Sequence, residues 1–249
     1  ATSKAKLVAK QDCIICGVDI ARMVFELVDD RLQFQAFASD GQRIKKGDIV
    51  FKVEGSAISI LTAERTLLNY MQRLSGIATT TSEYVNLIEG TSARLLDTRK
   101  TTPTMRILEK YAVKTGGGTN HRIGLFDMIM LKDNHIDFAG GIEKAIDRTL
   151  QYLKDKQLEL KIEIEVRNFE ELQRVLAKGG VNRIMLDNFS VDDTQKAVKM
   201  IDHKYEIESS GGITAENILS YAQTGVDFIS VGALTHQIKS IDLSLLAED

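Results

Sequence analysis

Residues 93–135 read ARLLDTRKTTPTMRILEKYAVKTGGGTNHRIGLFDMIMLKDNH, a stretch in which charged loops follow short apolar runs. The apolar runs at 93–97 and 128–131 are bounded by polar or turn residues, which predicts two short buried strands. Each strand ends in a charged loop, as strands do at the carboxyl end of a parallel α/β barrel, where active sites are built. The stretch therefore predicts an α/β barrel and indicates its functional end.

A helix is predicted between these two strands, over about 104–114. Pro103, the only proline in the chain, suits the first turn of that helix, because its missing N–H would have no intrahelical partner there. The glycines at 116–118 then interrupt the helical pattern.

Strands and helices continue to alternate after residue 135. The further strands are predicted at 162–166, 183–186, 205–209 and 228–231, and the helices at 141–153, 169–177, 191–201 and 215–224. This alternation indicates a parallel sheet with right-handed crossovers. Six strands are evident from residue 93 onward and a seventh is expected around Ala112–Thr115. The fold class predicted is thus an incomplete, about seven-stranded parallel α/β barrel.

The first 62 residues predict a smaller α/β sandwich domain. Apolar and polar residues alternate in 7–19, 32–38 and 49–61, which indicates short strands, and a helix is expected near Asp19–Leu27. A long amphipathic helix is predicted over 63–90. We place the sandwich domain at 1–62, joined by the tail 237–249, and the barrel domain at 63–236.

The composition describes an ordinary globular protein, with 43% hydrophobic and 27% charged residues over 249 positions. The net charge of −3 argues against nucleic acid as a partner, because nucleic-acid binders carry a basic excess. The sequence has no apolar run of membrane-spanning length and no secretory signal, so no membrane association and a cytoplasmic location are expected. Cys13 and Cys16 have metal-site spacing but lack a second pair, which favours buried reduced thiols.

Five cationic side chains lie in the loops of the central stretch: Arg99, Lys100, His121, Arg122 and Lys132. Any one of them alone is most simply a solvated surface charge. Five in loops at one end of a barrel favour a site for a small anion.

A second set of residues lies where the later strands end. Glu165 and Asp187 each close an apolar strand, and two carboxylates at one barrel end suit a Mg²⁺ ion that also binds substrate phosphates. Glu163 is the weaker candidate, because we expect it to face the other way along its strand. The glycines of Ser210–Gly212, and Gly232, follow the last two strands, where backbone N–H groups of such barrels bind phosphate.

The motifs LLDTRKTTP, GGGTNHR and MLKDNH closely resemble those of the quinolinate phosphoribosyltransferase family, the decarboxylating enzymes of NAD biosynthesis. The resemblance extends from AERTLLNYMQRLSGIATTT, which begins at Ala63, to the terminal SVGALTH. It implies a seven-stranded barrel beside an α/β sandwich, and quinolinate and phosphoribosyl pyrophosphate as substrates. It also implies a homodimer with shared active sites, in which Arg65 of the AER motif reaches the other subunit's pocket.

The resemblance further implies a role for each residue in the two sets. The quinolinate carboxylates would be held by four cations of the central stretch and by Arg65 in trans: Arg99, His121, Arg122 and Lys132. Lys100 and Mg²⁺ would face the pyrophosphate, with Glu165 and Asp187 as the metal ligands and binders of the ribose hydroxyls. The catalytic residues would be Lys100, Lys132, Glu165 and Asp187. The phosphate end would comprise Ser210, Gly211, Gly212, Gly232 and His236.

Three alternatives remain at this stage. The run DGQRIKKGDIVFKVEG from Asp40 suits a biotinyl or lipoyl carrier domain, but no modifiable lysine stands at a hairpin tip. Nicotinate phosphoribosyltransferase and a molybdenum-associated relative share the architecture and the phosphate end, and differ in how many cations surround the base. A purely structural role gives no reason for glycine sites in two consecutive strand loops.

Overall fold

The computed structural model describes residues 2–248, which form two compact units. One, here called the amino-terminal unit, comprises residues 2–83, 100–118 and 233–248, and the other, the barrel unit, comprises 84–99 and 119–232. The elements in chain order are β1 Thr2–Ala9, β2 Cys13–Ile14, α1 Val18–Val28, β3 Gln33–Ala36, β4 Arg43–Ile44, β5 Ile49–Ser56, α2 Ala57–Leu87, β6 Arg94–Leu96, α3 Arg106–Thr115, β7 Ile129–Leu131, α4 Asp133–Ala139, α5 Ile142–Lys156, β8 Ile162–Val166, α6 Phe169–Lys178, β9 Arg183–Asp187, α7 Val191–Ile201, β10 Glu206–Ser210, α8 Ile218–Ala222, β11 Phe228–Ser230, α9 Ala233–His236 and β12 Leu243–Glu248.

The amino-terminal unit contains a four-stranded sheet in the order β12-β1-β5-β3, in which all neighbouring strands are antiparallel. Apolar and polar residues alternate along these strands, so the apolar side chains share one face of the sheet, and that face is buried. Phe25 of α1 packs edge-on against Phe51 of β5, with ring centroids 5.9 Å apart, and Leu67 and Met71 of α2 belong to the same apolar cluster. Burying a side chain of this size contributes roughly 1.5–3 kcal/mol. The core of this unit is therefore built from a sheet and two helices.

Both cysteines belong to this unit, and Cys13 lies within its apolar cluster. Cys13 and Cys16 are buried and free. Burial, together with the charge of Asp12, raises the pKa of Cys13 to about 11, and burial with the charge of Asp40 raises the pKa of Cys16 to about 12. Both thiols are therefore protonated at neutral pH and poorly reactive.

The barrel unit contains a six-stranded parallel sheet in the order β6-β11-β10-β9-β8-β7, which confirms the predicted fold class. All six predicted strands are present, within two residues of their predicted ends. A single parallel β-bridge joins Leu96 of β6 to Thr119. Within residues 2–248, this bridge stands in place of the expected seventh strand. The predicted position of that strand, Ala112–Thr115, is wrong, because those residues belong to α3.

The helices that connect these strands begin at polar caps. The side chain of Asn168 accepts a hydrogen bond from the amide of Glu171 at the start of α6, and Ser190 accepts one from the amide of Asp193 at the start of α7. Each such cap stabilises a helix by about 1 kcal/mol. The caps fix where the chain leaves β8 and β9, at the end of the sheet that carries the predicted site.

Four local predictions are corrected by the structure. Pro103 lies in a turn before α3, which begins at Arg106 after Met105, so it is not in the helix's first turn. The segment 57–61, predicted as the end of a strand, already belongs to α2, because Ile60 and Ala63 continue the buried helical stripe. Residues 133–135, expected in the charged loop after the strand, form the first turn of α4. The helix predicted from about 215 begins only at Ile218.

The two units are discontinuous in sequence, and the domain limits at 1–62 and 63–236 stay a prediction. The predicted partnership of the tail has a structural counterpart in the pairing of β12 with β1, where Leu7 opposes Leu245. Within residues 2–248, no helix has both the length and the apolar content needed to cross a bilayer.

Candidate active site

One face of the barrel unit's sheet carries most of its buried charge. In the parallel register Glu163 pairs with Arg183, and Glu206 pairs with Arg183 from the other side. Paired residues of neighbouring strands point to the same face, and so do residues two apart along a strand. The face, here called the charged face, therefore carries Glu163, Glu165, Arg183, Asp187, Glu206, Glu208 and Ser210.

The expectation that Glu163 faces away from Glu165 is wrong, because residues i and i+2 of a strand lie on the same side. Glu163 is fully buried and Glu165 is half-buried at the carboxyl end of β8. Sequence reasoning named Glu163 only as the weaker candidate and missed Glu208. The signal that could have found them is the two-residue spacing of acids in IEIEV and EIESS, which puts polar side chains on the face that parallel barrels fill with apolar ones.

A buried cluster of His121, Glu163 and Glu208 occupies the charged face. The Nε2 atom of His121 lies 2.9 Å from Oε2 of Glu163 and 3.4 Å from Oε2 of Glu208. Arg183 completes the charge balance by donating from a terminal nitrogen to Oε2 of Glu208 at 3.1 Å, while its guanidinium stacks 3.8 Å from the Phe228 ring centroid. Two carboxylates thus face two cationic groups in a space that excludes water.

The charges of this cluster depend on one another. Burial opposes protonation of His121, but the hydrogen bonds and charges of Glu163 and Glu208 outweigh it and raise the histidine pKa to about 9. Burial and the neighbouring charge of Glu208 raise the pKa of Glu163. Burial would also raise the pKa of Glu208, but its bonds to His121 prevail and lower it. The pair of acids therefore favours one negative charge, placed on Glu208, against a protonated imidazole.

These three side chains also form the one group of three potential metal-ligating residues among the described residues, with ligand atoms within 4.8 Å of one another. The charge balance argues against a metal there. Arg183 already bonds Glu208, and His121 is held protonated by both acids, so a divalent cation would have to displace a proton and oppose a fixed guanidinium.

The backbone of the GGGTNHR motif is fixed by a buried carboxylate. Asp97, at the end of β6, is fully buried and accepts a hydrogen bond of 2.8 Å from the amide of His121. The amide of Thr119 donates to the carbonyl of Leu95 at 2.8 Å. The loop that carries His121 and Arg122 is therefore anchored on both sides of Asn120.

Arg99 and Arg122 form a cationic pair in the barrel unit. Burial, then the positive charge of Arg99, lowers the pKa of Arg122. Arg122 donates to the carbonyl of Met128 at 3.2 Å, and the Nε atom of Arg99 is buried with no hydrogen-bond partner within residues 2–248. Two guanidinium groups that repel each other in a half-buried place are the arrangement an anion stabilises, because it neutralises both and supplies acceptors to both.

Glu165 and Asp187 form the second predicted centre. Burial and then the charge of Asp187 raise the pKa of Glu165, whereas the charge of Lys132 lowers it. Asp187 is half-buried, and its Oδ2 accepts a hydrogen bond of 2.8 Å from Asn188. The structure thus brings the two acids and Lys132 within electrostatic reach of one another. Burial and the charge of Asp187 disfavour the ionised form of Glu165, so this pair suits a shared Mg²⁺ ion, which takes carboxylate oxygens together with substrate oxygens.

Lys132 lies at the start of α4. Its amide donates to Nδ1 of His135 at 3.0 Å, a hydrogen bond that fixes the main chain where β7 ends. Its side chain is exposed. The cation is thus placed by a strand end and a helix start, with its ammonium group open to a ligand.

The Ser210–Gly212 turn has the left-handed backbone that glycine favours. Gly211 has φ of +93° and Gly212 has φ of +64°. A Cβ atom on Gly211 would lie 2.2 Å from Oδ1 of Asn188, whereas one on Gly212 would meet nothing within 4 Å. Gly211 is therefore required by packing inside the protein, and Gly212 is the position where the backbone is open to an approaching group.

The helix after this turn does not support the predicted phosphate site as expected. It was predicted to begin at about residue 215, but α8 begins at Ile218 and has five residues. The side chain of Asn217 instead bonds the turn. Its Nδ2 donates to the carbonyl of Gly212 at 3.0 Å, and its Oδ1 accepts from the main-chain amide of Thr214 at 2.8 Å. A phosphate at this turn would rest on loop N–H groups rather than on a helix dipole.

The predicted residues are divided between the two units. Arg65, Lys100 and His236 belong to the amino-terminal unit and are all exposed. The carbonyl of Lys100 accepts a hydrogen bond of 2.9 Å from the hydroxyl of Thr235. The remaining predicted residues all belong to the barrel unit: Arg99, His121, Arg122, Lys132, Glu165, Asp187, Ser210, Gly211, Gly212 and Gly232.

The fold and the candidate site describe an α/β protein whose parallel-sheet unit carries cationic and acidic side chains that suit a charged small molecule. Residues 1–75 match the sequence profile of the quinolinate phosphoribosyl transferase N-terminal domain, and residues 77–246 match that of the C-terminal domain. The chain therefore belongs to the quinolinate phosphoribosyltransferase family.

Similar proteins agree with this family over almost the whole chain. The sequence is 44% identical over 257 residues to a protein of Nicotiana tabacum named quinolinate phosphoribosyltransferase [decarboxylating] 2b, mitochondrial, covering 98% of this chain and 73% of the relative. It is 41% identical to the probable nicotinate-nucleotide pyrophosphorylase [carboxylating] of Bacillus subtilis, covering 97% and 82%. The structure of the nicotinate-nucleotide pyrophosphorylase from Francisella tularensis superposes with a TM-score of 0.94 at 44% identity, covering 100% of this chain and 87% of the other.

Proposed function

We propose that this protein transfers the phosphoribosyl group of phosphoribosyl pyrophosphate to quinolinate and releases pyrophosphate and carbon dioxide, a step of NAD biosynthesis. The observation that carries the proposal for this site is the half-buried pair of Arg99 and Arg122, whose charges repel each other and whose buried Nε atom on Arg99 has no hydrogen-bond partner among the described residues. Quinolinate offers two adjacent carboxylates. Such a dianion neutralises both guanidinium groups and can accept paired hydrogen bonds from each.

In this function Arg99, Arg122 and Lys132 hold the two carboxylates of quinolinate. His121 contributes positive charge from the buried side, because its protonated imidazole is fixed by Glu163 and Glu208. Each charged hydrogen bond to the dianion stabilises the complex by roughly 1.5–3 kcal/mol. An aromatic acid with a single carboxylate leaves part of this set unpaired, and an unpaired buried cation is costly.

Glu165 and Asp187 bind the ribose hydroxyls and hold Mg²⁺. Their fit to the ion rests on the half-buried position of Glu165, where burial and then the charge of Asp187 raise its pKa and the charge of Lys132 only partly offsets them. A bound Mg²⁺ ion supplies positive charge to the departing pyrophosphate. Lys100 also faces the pyrophosphate in this proposal. The turn at Ser210–Gly212, with Gly232 and His236, binds the 5′-phosphate.

The transfer forms a bond between the pyridine nitrogen and the anomeric carbon as the bond from that carbon to pyrophosphate breaks. Positive charge develops on the sugar, and the fixed carboxylates of Glu165 and Asp187 stabilise it. The pyridinium nitrogen then accepts the electron pair left when the neighbouring carboxylate leaves as carbon dioxide, and a proton takes its place on the ring. The side chains thus position and stabilise charge, without a covalent intermediate.

We also propose a homodimer in which Arg65 enters the pocket of the other subunit. Ile58 and Leu61 lie two turns and one turn before Arg65 on α2, and both are strongly exposed, at 79% and 68%. An apolar strip beside an exposed arginine is what an interface can bury. The cytoplasmic location is likewise a proposal, since the tobacco relative is named as mitochondrial.

The test of the function is direct. The protein is incubated with phosphoribosyl pyrophosphate, Mg²⁺ and either quinolinate or nicotinate, and pyrophosphate and carbon dioxide are measured. We expect equal amounts of both products with quinolinate and almost no turnover with nicotinate. Pyrophosphate release at similar rates from the two acids would instead favour nicotinate phosphoribosyltransferase, the alternative in which fewer cations surround the base.

A further inference from the structure

Arg73 of α2 forms a set of hydrogen bonds that no role described so far uses. Its Nε and one terminal nitrogen donate to Oε1 of Glu109 on α3, at 2.9 and 2.6 Å. The same terminal nitrogen donates to the hydroxyl of Thr102 at 2.8 Å and to the carbonyl of Thr235 at 3.0 Å. One guanidinium thus joins α2, α3, the loop after Lys100 and α9.

Glu109 completes this set from the other side. Its side chain is fully buried, and its second oxygen, Oε2, accepts a hydrogen bond of 3.1 Å from the amide of Thr102. Both oxygens of the carboxylate are therefore engaged, one by a guanidinium and one by main chain. A buried carboxylate fixed in this way holds its partners rigidly, because losing any one of them leaves a charge without compensation.

The set continues to Lys100. The hydroxyl of Thr235 donates to the carbonyl of Lys100 at 2.9 Å, while the carbonyl of Thr235 accepts from Arg73. The loop 100–102 is consequently fixed at both ends, through the Lys100 carbonyl and through the amide and hydroxyl of Thr102. All of these residues belong to the amino-terminal unit, so the arrangement lies within one compact body.

We propose that the Arg73–Glu109 pair positions the phosphoribosyl pyrophosphate site by fixing the main chain of residues 100–102 to α9. This inference rests on the proposed function, in which Lys100 and His236 contact that substrate. Neither Arg73 nor Glu109 touches the substrate, so both are positioning residues. Their effect is on geometry, and a displacement of about 1 Å at a binding group can cost on the order of a hundredfold in rate.

The test uses two variants of the pair and one of the hydroxyl. Glu109→Gln keeps the shape and removes the charge, Arg73→Lys keeps the charge and removes the fork, and Thr235→Val removes the hydroxyl that donates to Lys100. We expect the KM for phosphoribosyl pyrophosphate to rise roughly 10- to 100-fold in the first two variants and less in the third. The KM for quinolinate should stay within about twofold in all three, because the Arg99–Arg122 pair belongs to the other unit.

Glu171→Gln is the matched control. Its carboxylate has the same bonding as that of Glu109, with Oε1 accepting from Nε and a terminal nitrogen of Arg167 at 2.9 and 2.6 Å and Oε2 accepting a main-chain amide at 2.8 Å. It is buried as well, but its bonds reach neither Lys100 nor Thr235. We expect a loss of stability similar to that of Glu109→Gln with both KM values near those of the unaltered protein.

The outcomes separate this inference from the proposed function. Inactivity of the unaltered protein with quinolinate would overturn the function itself. If the unaltered protein is active, two results for the Glu109 and Arg73 variants would overturn the positioning role alone. One is an equal rise of both KM values, and the other is a change confined to the melting temperature. If Glu109→Gln does not fold, Thr235→Val decides, because it leaves the buried ion pair intact.

Discussion

The Nε2 atom of His121 lies 2.9 Å from Oε2 of Glu163, and both side chains are buried. Oε2 of Glu208 lies 3.4 Å from the same nitrogen, and the two carboxylates outweigh the effect of burial and raise the pKa of His121. A buried imidazolium is costly unless it has such partners. The two acids therefore lower the cost of a positive charge at His121, the residue before Arg122 of the proposed anion site.

The first prediction is a loss of stability above neutral pH. The pKa of His121 is raised to about 9 from its ordinary 6.5, so the folded protein binds the proton more tightly than the unfolded chain. The contribution is complete below about pH 6.5 and disappears as the pH rises through 9. The shift corresponds to about 3 kcal/mol of unfolding free energy, at about 1.4 kcal/mol for each pKa unit. This is an upper limit, because Glu163 and Glu208 titrate together with His121. Melting temperatures measured from pH 6 to 10 should fall across this window.

His121→Asn should remove most of that pH dependence. The control is His203→Asn, a change at an exposed turn with φ of +57°, a backbone region that asparagine tolerates. This variant should retain the fall in melting temperature of the unaltered protein. The same pH profile in His121→Asn as in the control would mean that the histidine is neutral in the folded state.

The second prediction separates the two glycines of the turn after β10. Gly211→Ala should lower stability, because the new Cβ would lie 2.2 Å from Oδ1 of Asn188. Gly212→Ala meets no atom within 4 Å, so its cost in folding is limited to the strain of φ at +64°, on the order of 1 kcal/mol. If the 5′-phosphate rests on this turn, Gly212→Ala should raise the KM for phosphoribosyl pyrophosphate about tenfold, measured at saturating quinolinate. An unchanged KM would place the phosphate elsewhere.

Strand positions were predictable because each is an apolar run closed by polar residues, and the alternation of strands with helices defined the parallel sheet. The cations of the central stretch were visible for the same reason, since they follow strand ends. The partners of His121 were not seen. Glu163 and Glu208 meet it only through the register of β8, β9 and β10, which no local pattern fixes. The Arg73–Glu109 pair likewise joins residues 36 positions apart.

The third prediction concerns the acids that are proposed to hold Mg²⁺. Glu165→Gln and Asp187→Asn should each lower kcat by roughly 10²-fold, the effect of losing one preorganised charge, and should raise the Mg²⁺ concentration needed for half-maximal rate. Because the charge of Asp187 raises the pKa of Glu165, Asp187→Asn should also move the acid limb of the pH–rate profile to lower pH. Asp192→Asn, at an exposed residue of α7, is the control and should change neither quantity. Full activity with lowered melting temperature would make these acids structural.

The last prediction tests whether Arg65 completes the pocket of the other subunit. Arg65→Ala and Lys132→Ala should each be nearly inactive, because each homodimer lacks one cation in both pockets. After the two proteins are mixed and exchange subunits, a heterodimer has one pocket with both lesions and one with neither. Random exchange of equal amounts makes about half of the dimers mixed, so on the order of a quarter of the unaltered activity should return.

Exchange itself must be shown, by mass spectrometry of the mixed dimer or by energy transfer between labelled subunits. Mixing Arg65→Ala with Arg99→Ala should restore activity in the same way, because Arg99, like Lys132, belongs to the barrel unit. Mixing Lys132→Ala with Arg99→Ala should restore no activity. Each subunit supplies both residues to its own pocket, so every pocket in the mixed dimer still carries one of the two substitutions. Activity that stays absent in every mixture, with exchange demonstrated, would assign Arg65 to its own subunit or to no pocket.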